Sequence, residues 1–315
     1  MEAQAVLARA STISSASVAG SLYRPGVLES LDVRRCGRVF NEVADEYDRN
    51  RPAYPDALID RACEVAGLAP EARVLEIGPG TGQLTRALLA RGLRVVAVEP
   101  GDRLIARARD RLTGAGEMQF LNARLEEALL PRRHYQAVFS ASAIHWVDPD
   151  VSWRKVADVL IDGGTLALVS YFGLKDPRSS ADQEALRSSL ARIAPERAAE
   201  WPTYRDLDAT LDGAEQRRAN VSEAWSWLGS HEVARGYVAR LFEDAQVTGM
   251  PMLVEQTADA LNAVLGTMSF WSRLSPAERE ALCAENRALE ARLGRPIRST
   301  IMACLVTARR ARRAA

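Results

Sequence analysis

The stretch Arg73–Pro100, RVLEIGPGTGQLTRALLARGLRVVAVEP, constrains the fold of this chain more than any other. An apolar run, Val74-Leu75-Glu76-Ile77, ends in Gly78, Gly80 and Gly82, three glycines within five residues. Leu84, Ala87, Leu88 and Leu89 then recur at helical spacing, and Gly92 is placed to stop the helix. A second apolar run from Arg94 ends in the acid Glu99. Strand, glycine turn, helix, strand and acid in that order make half of a nucleotide-binding α/β sheet.

The spacing narrows the ligand. Glycine tolerates positive φ and has no Cβ, so a ligand can approach the backbone at the end of the first strand. An acid ending the second strand can accept hydrogen bonds from both hydroxyls of a ribose. A phosphate-cradling loop needs a Lys after its last glycine, where this chain has Gln83. A dinucleotide fingerprint needs G-x-G-x-x-G, and these glycines spell G-x-G-x-G. Glu76, just before the turn, would repel a pyrophosphate. A ligand with a ribose, a cationic amino-acid end and no phosphate suits both acids, and S-adenosylmethionine (SAM) is such a ligand. Glu76-x-Gly78-x-Gly80-x-Gly82, with Glu99 after the next strand, resembles the first two motifs of class I SAM-dependent methyltransferases.

Two further segments extend the resemblance. Phe40 to Pro55 contains Tyr47-Asp48-x-x-Arg51-Pro52, similar to the Y-D-x-x-R-P element preceding the SAM fold in many small-molecule methyltransferases. The resemblance implies that Tyr47 lies against the cofactor and Arg51 pairs with its carboxylate. An aromatic face suits a sulfonium because the ring quadrupole attracts cations. Ser140-Ala141-x-x-x-His145-Trp146-Val147-Asp148-Pro149 is similar to the loop that, in a subset of these enzymes, lines the meeting point of cofactor methyl and substrate. The implied cofactor contacts are Tyr47, Arg51, Glu76, Gly78, Gly80, Gly82, Glu99, Pro100, Leu104, Arg124, Leu125 and Ser140, the acceptor contacts His145 and Trp146. Arg124-Leu125-Glu126 departs from the family's commoner adenine-loop forms, which leaves open which side chain touches adenine. Ser140-Ala141-Ser142 lacks the metal-binding Asp of catechol-type enzymes, and the Asn/Asp-Pro-Pro-aromatic loop of nucleic-acid amino-methyltransferases is absent.

The implied fold is α/β, a Rossmann-like seven-stranded methyltransferase sheet with a helical insertion, or cap, after strand 5. Residues 1–35 form an N-terminal extension, a candidate lid or a helix for homo-oligomer contact, and residues 36–172 the SAM-binding core. Asp102 is placed to cap a helix that turns Leu104, Ile105, Ala108 and Leu112 inward. A helix is expected over Val151–Leu160, a stop at Asp162-Gly163-Gly164, and a strand over Thr165–Tyr171. Residues 173–245 carry helical periods at Leu186/Leu190/Ile193, Val221/Trp225/Leu228 and Tyr237/Val238/Leu241, a cap for substrate. Residues 246–308 complete the sheet with strands at Val247–Gln256 and Ser299–Val306, the latter antiparallel between strands five and six by resemblance. Between them, Ser275-Pro276-Ala277-Glu278 spells a capping box. The basic residues in 309–315 read as a solvated tail.

Composition sets the remaining limits. The formal net charge is zero, which gives no electrostatic case for nucleic acid or an anionic membrane as partner. Cys36, Cys63, Cys283 and Cys304 are scattered, and His134, His145 and His231 lack ligand spacing, so neither a metal site nor a disulfide framework is expected. No apolar run approaches the ~20 residues of a membrane span, and the Ser/Ala-rich start lacks the apolar core of a signal peptide. The expectation is a cytoplasmic enzyme of secondary metabolism that moves the SAM methyl group to a small-molecule oxygen, nitrogen or carbon, leaving S-adenosylhomocysteine. Positioning alone can supply about 7–11 kcal/mol of such a reaction. A base is needed only for a protonated acceptor; His145 is the first candidate and Tyr47 the second. The alternatives are an NAD(P)-dependent oxidoreductase, which shares the half-sheet, and a non-catalytic SAM-binding regulatory protein.

Overall fold

A computed structural model describes residues 54–312 apart from 201–203, 230, 267 and 269. The elements in order are α1 (Asp56–Val65), β1 (Arg73–Ile77), α2 (Gln83–Leu89), β2 (Arg94–Glu99), α3 (Asp102–Arg111), β3 (Met118–Asn122), β4 (Tyr135–Ala141), α4 (Pro149–Val159) and β5 (Leu160–Gly173). After them come α5 (Ser180–Ile193), α6 (Leu207–Glu215), α7 (Val221–Gly229), β6 (Phe242–Gln256), α8 (Ala258–Gly266), α9 (Pro276–Leu293) and β7 (Ile297–Arg310). One seven-stranded sheet results, ordered β3-β2-β1-β4-β5-β7-β6. The first five strands are parallel, and β7 runs antiparallel between β5 and β6. Strands β2 and β3 step outward on one side of β1 and β4 returns on the other. The order therefore reverses between β1 and β4 and leaves a crevice at their carboxyl ends.

Strand residues alternate between the two faces, and helices cover both, so the central strands read as continuous apolar runs. On one face Leu75, Ile77, Val138, Leu166 and Val306 pack with Trp153 and Val156 of α4 and with Val221, Trp225 and Leu228 of α7. On the other, Val74, Val95, Ala137, Phe139 and Val169 meet Leu58 and Ile59 of α1, Leu84 and Leu88 of α2, and Leu112 beyond α3. A third cluster joins Leu186 and Leu190 of α5 to Leu261 and Leu265 of α8 and Leu282 and Leu289 of α9. Asp182 of α5 fixes that cluster to the sheet, accepting from the Arg295 guanidinium at 2.7 and 3.0 Å and from the Arg298 N–H at 2.8 Å.

Several boundaries differ from the sequence reading. The helical segment between β5 and β6 divides: α7 packs on the sheet face, whereas α5 joins α8 and α9, which follow β6. Tyr237-Val238 lies in a single turn, Gly236–Arg240, not a full helix. Helix α4 ends at Val159 because Leu160 already pairs with Tyr135; the strand then bulges around Gly163 (φ +74°) and resumes at Thr165 opposite Ala137. Strand β6 starts at Phe242, ahead of a bulge between Glu243 and Gln246. Strand β7 reaches Arg310, which corrects the expectation of a solvated tail from residue 309. Arg310 is 6% exposed, and its guanidinium donates to the Leu160 carbonyl at 2.6 Å. It also pairs with Asp162 at 3.0 Å. The capping box forms as read, with Ser275 accepting from the Glu278 N–H and Glu278 from the Ser275 N–H.

Trp153 links these layers. It is fully buried, and its indole N–H donates to the Val233 carbonyl at 2.9 Å, tying α4 to the segment after α7. Trp153→Ala should cost about 3–5 kcal/mol in urea unfolding through the cavity and the lost bond. A loss under about 1 kcal/mol would contradict this packing role.

Candidate functional site

The crevice between β1 and β4 is formed by glycine. Gly78, Gly80 and Gly82 have φ of +67°, +57° and +84°, in the left-handed region that disfavours other residues. Each has a separate reason to lack a side chain. A Cβ on Gly78 would overlap the Cβ of Ala143, in the loop after β4. One on Gly82 would press on Leu112 and Ala108, where α2 packs against α3. One on Gly80 would meet nothing within 4 Å: Gly80 faces open space, room for a ligand against bare backbone.

Two buried carboxylates flank the turn. Glu99, at the end of β2, is 6% exposed and accepts from the Gly80 N–H at 3.2 Å and the Gly101 N–H at 2.9 Å. Burial raises its pKa, and those two N–H groups oppose the rise. Each oxygen keeps a further lone pair, so the carboxylate can still accept from two ribose hydroxyls. Asn122 steadies the same corner by donating to the Glu99 and Pro100 carbonyls, both at 3.1 Å. The capping expectation for Asp102 is corrected here. Gly101 is the N-cap of α3, and the Asp102 carboxylate instead accepts from the adjacent Arg103 N–H.

Glu76 is fully buried on β1. One of its oxygens accepts from the Thr85 hydroxyl at 2.7 Å, while the other, Oε1, has no hydrogen-bond partner. Burial pushes its pKa up to about 8; the Thr85 bond opposes this and the Glu99 charge adds to it. A buried carboxyl with an orphaned oxygen awaits a donor, and a cationic amino group would supply one. The orphaned oxygen, the open face of Gly80 and the spare lone pairs of Glu99 fit a ligand built like SAM.

The other expected cofactor residues fall into three groups. Tyr47 and Arg51 lie outside the described residues. Pro100 is exposed beside Glu99, while Leu104 of α3 and Leu125 are buried in the core. Ser140 is fully buried and donates to the Ile77 carbonyl at 3.2 Å, locking the ends of β1 and β4 together and presenting no open face to a ligand. In the expected adenine loop Arg124 pairs with Glu126 at 3.1 Å, and Glu126 also accepts from the Asp148 N–H at 3.2 Å. Burial would raise the Glu126 pKa, but these bonds hold it below the usual carboxylate value. That loop is thereby braced against the one carrying His145.

On the other side of Ala143, the loop enters a single helical turn, Ile144–Trp146, with His145 and Trp146 half-buried. Sequence reading missed the groups around them. Ser142 holds φ at +51°, and its hydroxyl lies 3.2 Å from the Tyr54 hydroxyl and 2.9 Å from that of Ser170. A non-glycine residue held in this region marks local strain of the sort found at binding sites. Tyr54 stacks on Tyr171, rings 5.1 Å apart and 7° from parallel, and burial pushes the Tyr171 pKa up to about 12. His231, from the segment after α7, stacks on His145 with centroids 3.9 Å apart and 10° between planes. Tyr171 and Phe172 could have been flagged as the last residues of an apolar strand. Nothing local to His231 marks it. Among the described residues, no cluster of three or more His, Cys, Asp or Glu could hold a metal, and no helix is long and apolar enough to cross a membrane.

Residues 75–168 match the methyltransferase domain family model. An uncharacterized methyltransferase of Mycobacterium tuberculosis is 40% identical over 130 residues, 41% of this chain and 51% of that protein. The ubiquinone/menaquinone biosynthesis C-methyltransferase of Ectopseudomonas mendocina is 30% identical over 156 residues, 46% of this chain and 61% of that one. The chain thus spans about half the length of the first of these curated relatives. A provisionally named type II methyltransferase from Anaeromyxobacter dehalogenans shares the fold, with a TM-score of 0.54 and 22% identity over 82% of this chain and 97% of that one. The sheet is the Rossmann-like methyltransferase sheet, and its glycine turn and His145 loop both lie within the matched domain.

Glu76 gives a stability prediction with a definite sign. The folded chain keeps a proton on Glu76 up to about pH 8, whereas an unhindered carboxyl loses it near 4.5. Between those values the folded state binds more protons, so this group lowers stability as pH rises. In Glu76→Gln that contribution is gone, and the variant's stability relative to wild type should climb from pH 5 to pH 8 in denaturant titrations. A difference that is flat or falling over that range would contradict a protonated Glu76.

Proposed function

We propose that this chain is a cytoplasmic SAM-dependent methyltransferase acting on a small-molecule acceptor in secondary metabolism. The observation that carries the reading is the left-handed glycine turn open at Gly80, flanked by the buried Glu99 and the orphaned oxygen of Glu76. In this reading Glu99 accepts from the ribose hydroxyls, Glu76 receives the cationic amino group, and the Gly78–Gly82 backbone admits the ligand closely. Pro100, Leu104, Arg124 and Leu125 border the nucleoside; Tyr47 and Arg51 complete the cofactor site. SAM would supply an activated methyl carbon. The acceptor atom bonds to that carbon while the carbon–sulfur bond breaks with its electron pair on sulfur, giving S-adenosylhomocysteine.

The acceptor side is assigned to His145 and Trp146 in the loop after β4, with Tyr54 stacked on Tyr171 towards one face of the sheet and Phe172 towards the other, aromatic groups suited to an apolar or aromatic small molecule. Similarity to a C-methyltransferase of quinone biosynthesis over 46% of the chain supports a small-molecule acceptor. The zero net charge supports the same choice over nucleic acid. The role of residues 1–35 in oligomer contact remains part of the proposal, on sequence grounds alone.

Calorimetric titration with SAM and S-adenosylhomocysteine tests the cofactor. Affinity in the micromolar range, about −8 kcal/mol, is expected. Gly80→Arg, whose side chain would occupy the open space, should weaken it by roughly a hundredfold, about 2.7 kcal/mol. Absence of binding of either ligand to a folded wild-type chain sinks the reading.

A further inference from the structure

His145 and His231 lie 86 positions apart in sequence and meet ring on ring. Their centroids are 3.9 Å apart and their planes 10° from parallel. The meeting is built in from several directions. His231 follows the end of α7, where a Cβ on Gly229 would overlap its ring and would lie 3.1 Å from Phe172. Downstream, the Trp153 indole holds the Val233 carbonyl at 2.9 Å and Arg235 pairs with Asp150 at 2.7 Å. The Tyr237 hydroxyl donates to the Pro149 carbonyl at 3.0 Å, and the Arg235 N–H donates to the Ser222 hydroxyl at 3.0 Å. Asp150, Pro149 and Trp153 all belong to α4, which begins three residues after Trp146. The segment carrying His231 is therefore riveted to the same helix that anchors the His145 loop.

We infer that His231 is a positioning residue that holds the His145 ring by face-to-face stacking, so that His145 accepts the proton of a weakly acidic hydroxyl acceptor of the phenol or enol type. This rests on the methyltransferase reading and adds the acceptor's class and a residue outside the matched domain. A base would be idle against a carboxylate acceptor, which carries no proton at neutral pH. For a phenol, the hydroxyl proton passes to a His145 ring nitrogen and the oxygen takes the methyl carbon. The carbon–sulfur electron pair stays on sulfur, and the imidazolium then returns its proton to solvent.

The charge arrangement agrees with this division of labour. Burial lowers the His231 pKa to about 4, so its ring is neutral at ordinary pH. Two stacked imidazoliums would repel, so a neutral His231 leaves the charge to His145 alone. The titratable and charged groups on the elements packed around the pair include Asp148 in the loop, Asp150, Arg154, Lys155 and Asp158 on α4, Glu223 on α7, Glu232, Arg235 and Tyr237 in the segment that carries His231, and Tyr171 on β5. Asp150 and Arg235 neutralise each other, and Tyr171 stays protonated.

The test uses 4-nitrophenol as the probe on the chain saturated with S-adenosylhomocysteine, whose binding is first verified by calorimetry. Below the free phenol's own pKa, the wild-type chain should raise the phenolate absorbance band, and His145→Ala should abolish the rise. His231→Ala should reduce it by roughly tenfold, one pKa unit of lost phenolate stabilisation, while His231→Phe, which keeps a flat neutral face, should restore most of it. Affinity for S-adenosylhomocysteine should stay at the wild-type value in both His231 variants, and both should remain folded by circular dichroism at the assay temperature. No phenolate signal with the wild-type chain, or equal signals from wild type and His231→Ala, overturns the inference. A His231→Ala loss matched by lost S-adenosylhomocysteine affinity also overturns it, as a merely structural role. Failure of the cofactor titration itself would instead strike the underlying methyltransferase reading.

Discussion

The close approach of Gly78 to Ala143 is the constraint on which the rest of the site depends. Here the end of β1 and the loop leaving β4 come so near that any side chain on Gly78 would collide with Ala143. The contact occurs where the strand order reverses, the one place in such a sheet where neighbouring chain segments diverge above the strand ends. Ser140 secures it from below by bonding the Ile77 carbonyl. On one side of the contact, Gly80 leaves bare backbone beside two carboxylates. From Ala143 the chain runs on directly into the turn that carries His145 and Trp146.

The two carboxylates differ despite being neighbours on adjacent strands. Glu99 is buried but satisfied by backbone N–H groups, while Glu76 is buried with half of its hydrogen-bonding capacity unused. An unpaired buried carboxyl is destabilising, and the cost appears as a raised proton affinity. Such local cost at a strand end is what binding of a cation would relieve. Stability spent in this way is recovered elsewhere, in layers held by Trp153, Asp182 and the α9 capping box.

What could be read from the sequence follows from how local each signal is. Strand β2 was legible to the residue, Arg94–Glu99, because its apolar run and both glycine borders lie within a dozen positions. The capping box at Ser275 was legible for the same reason. The edges of β6 and β7 were not: Arg309 and Arg310 look like a tail until Thr165 and Phe242 are known to pair with them. Asp102 looked like a cap because nothing in the sequence says that Glu99 turns Gly101 into that position. In the site, Gly78, Gly80, Gly82 and the two acids were readable from spacing. His231 was not, since 86 positions separate it from His145 and only the anchoring of α7 and α4 brings them together.

The central claim is that a nucleoside-bearing sulfonium donor sits against the Gly78–Gly82 turn, between Glu76 and Glu99, facing the His145 loop. Hydrogen–deuterium exchange of the full chain with and without S-adenosylhomocysteine tests it most directly. The account predicts slowed exchange in peptides covering residues 76–85, 99–105 and 142–148, with the far end of the sheet at β6 unchanged. Saturating ligand that leaves those three segments exchanging as before, or protects only residues elsewhere, would contradict it.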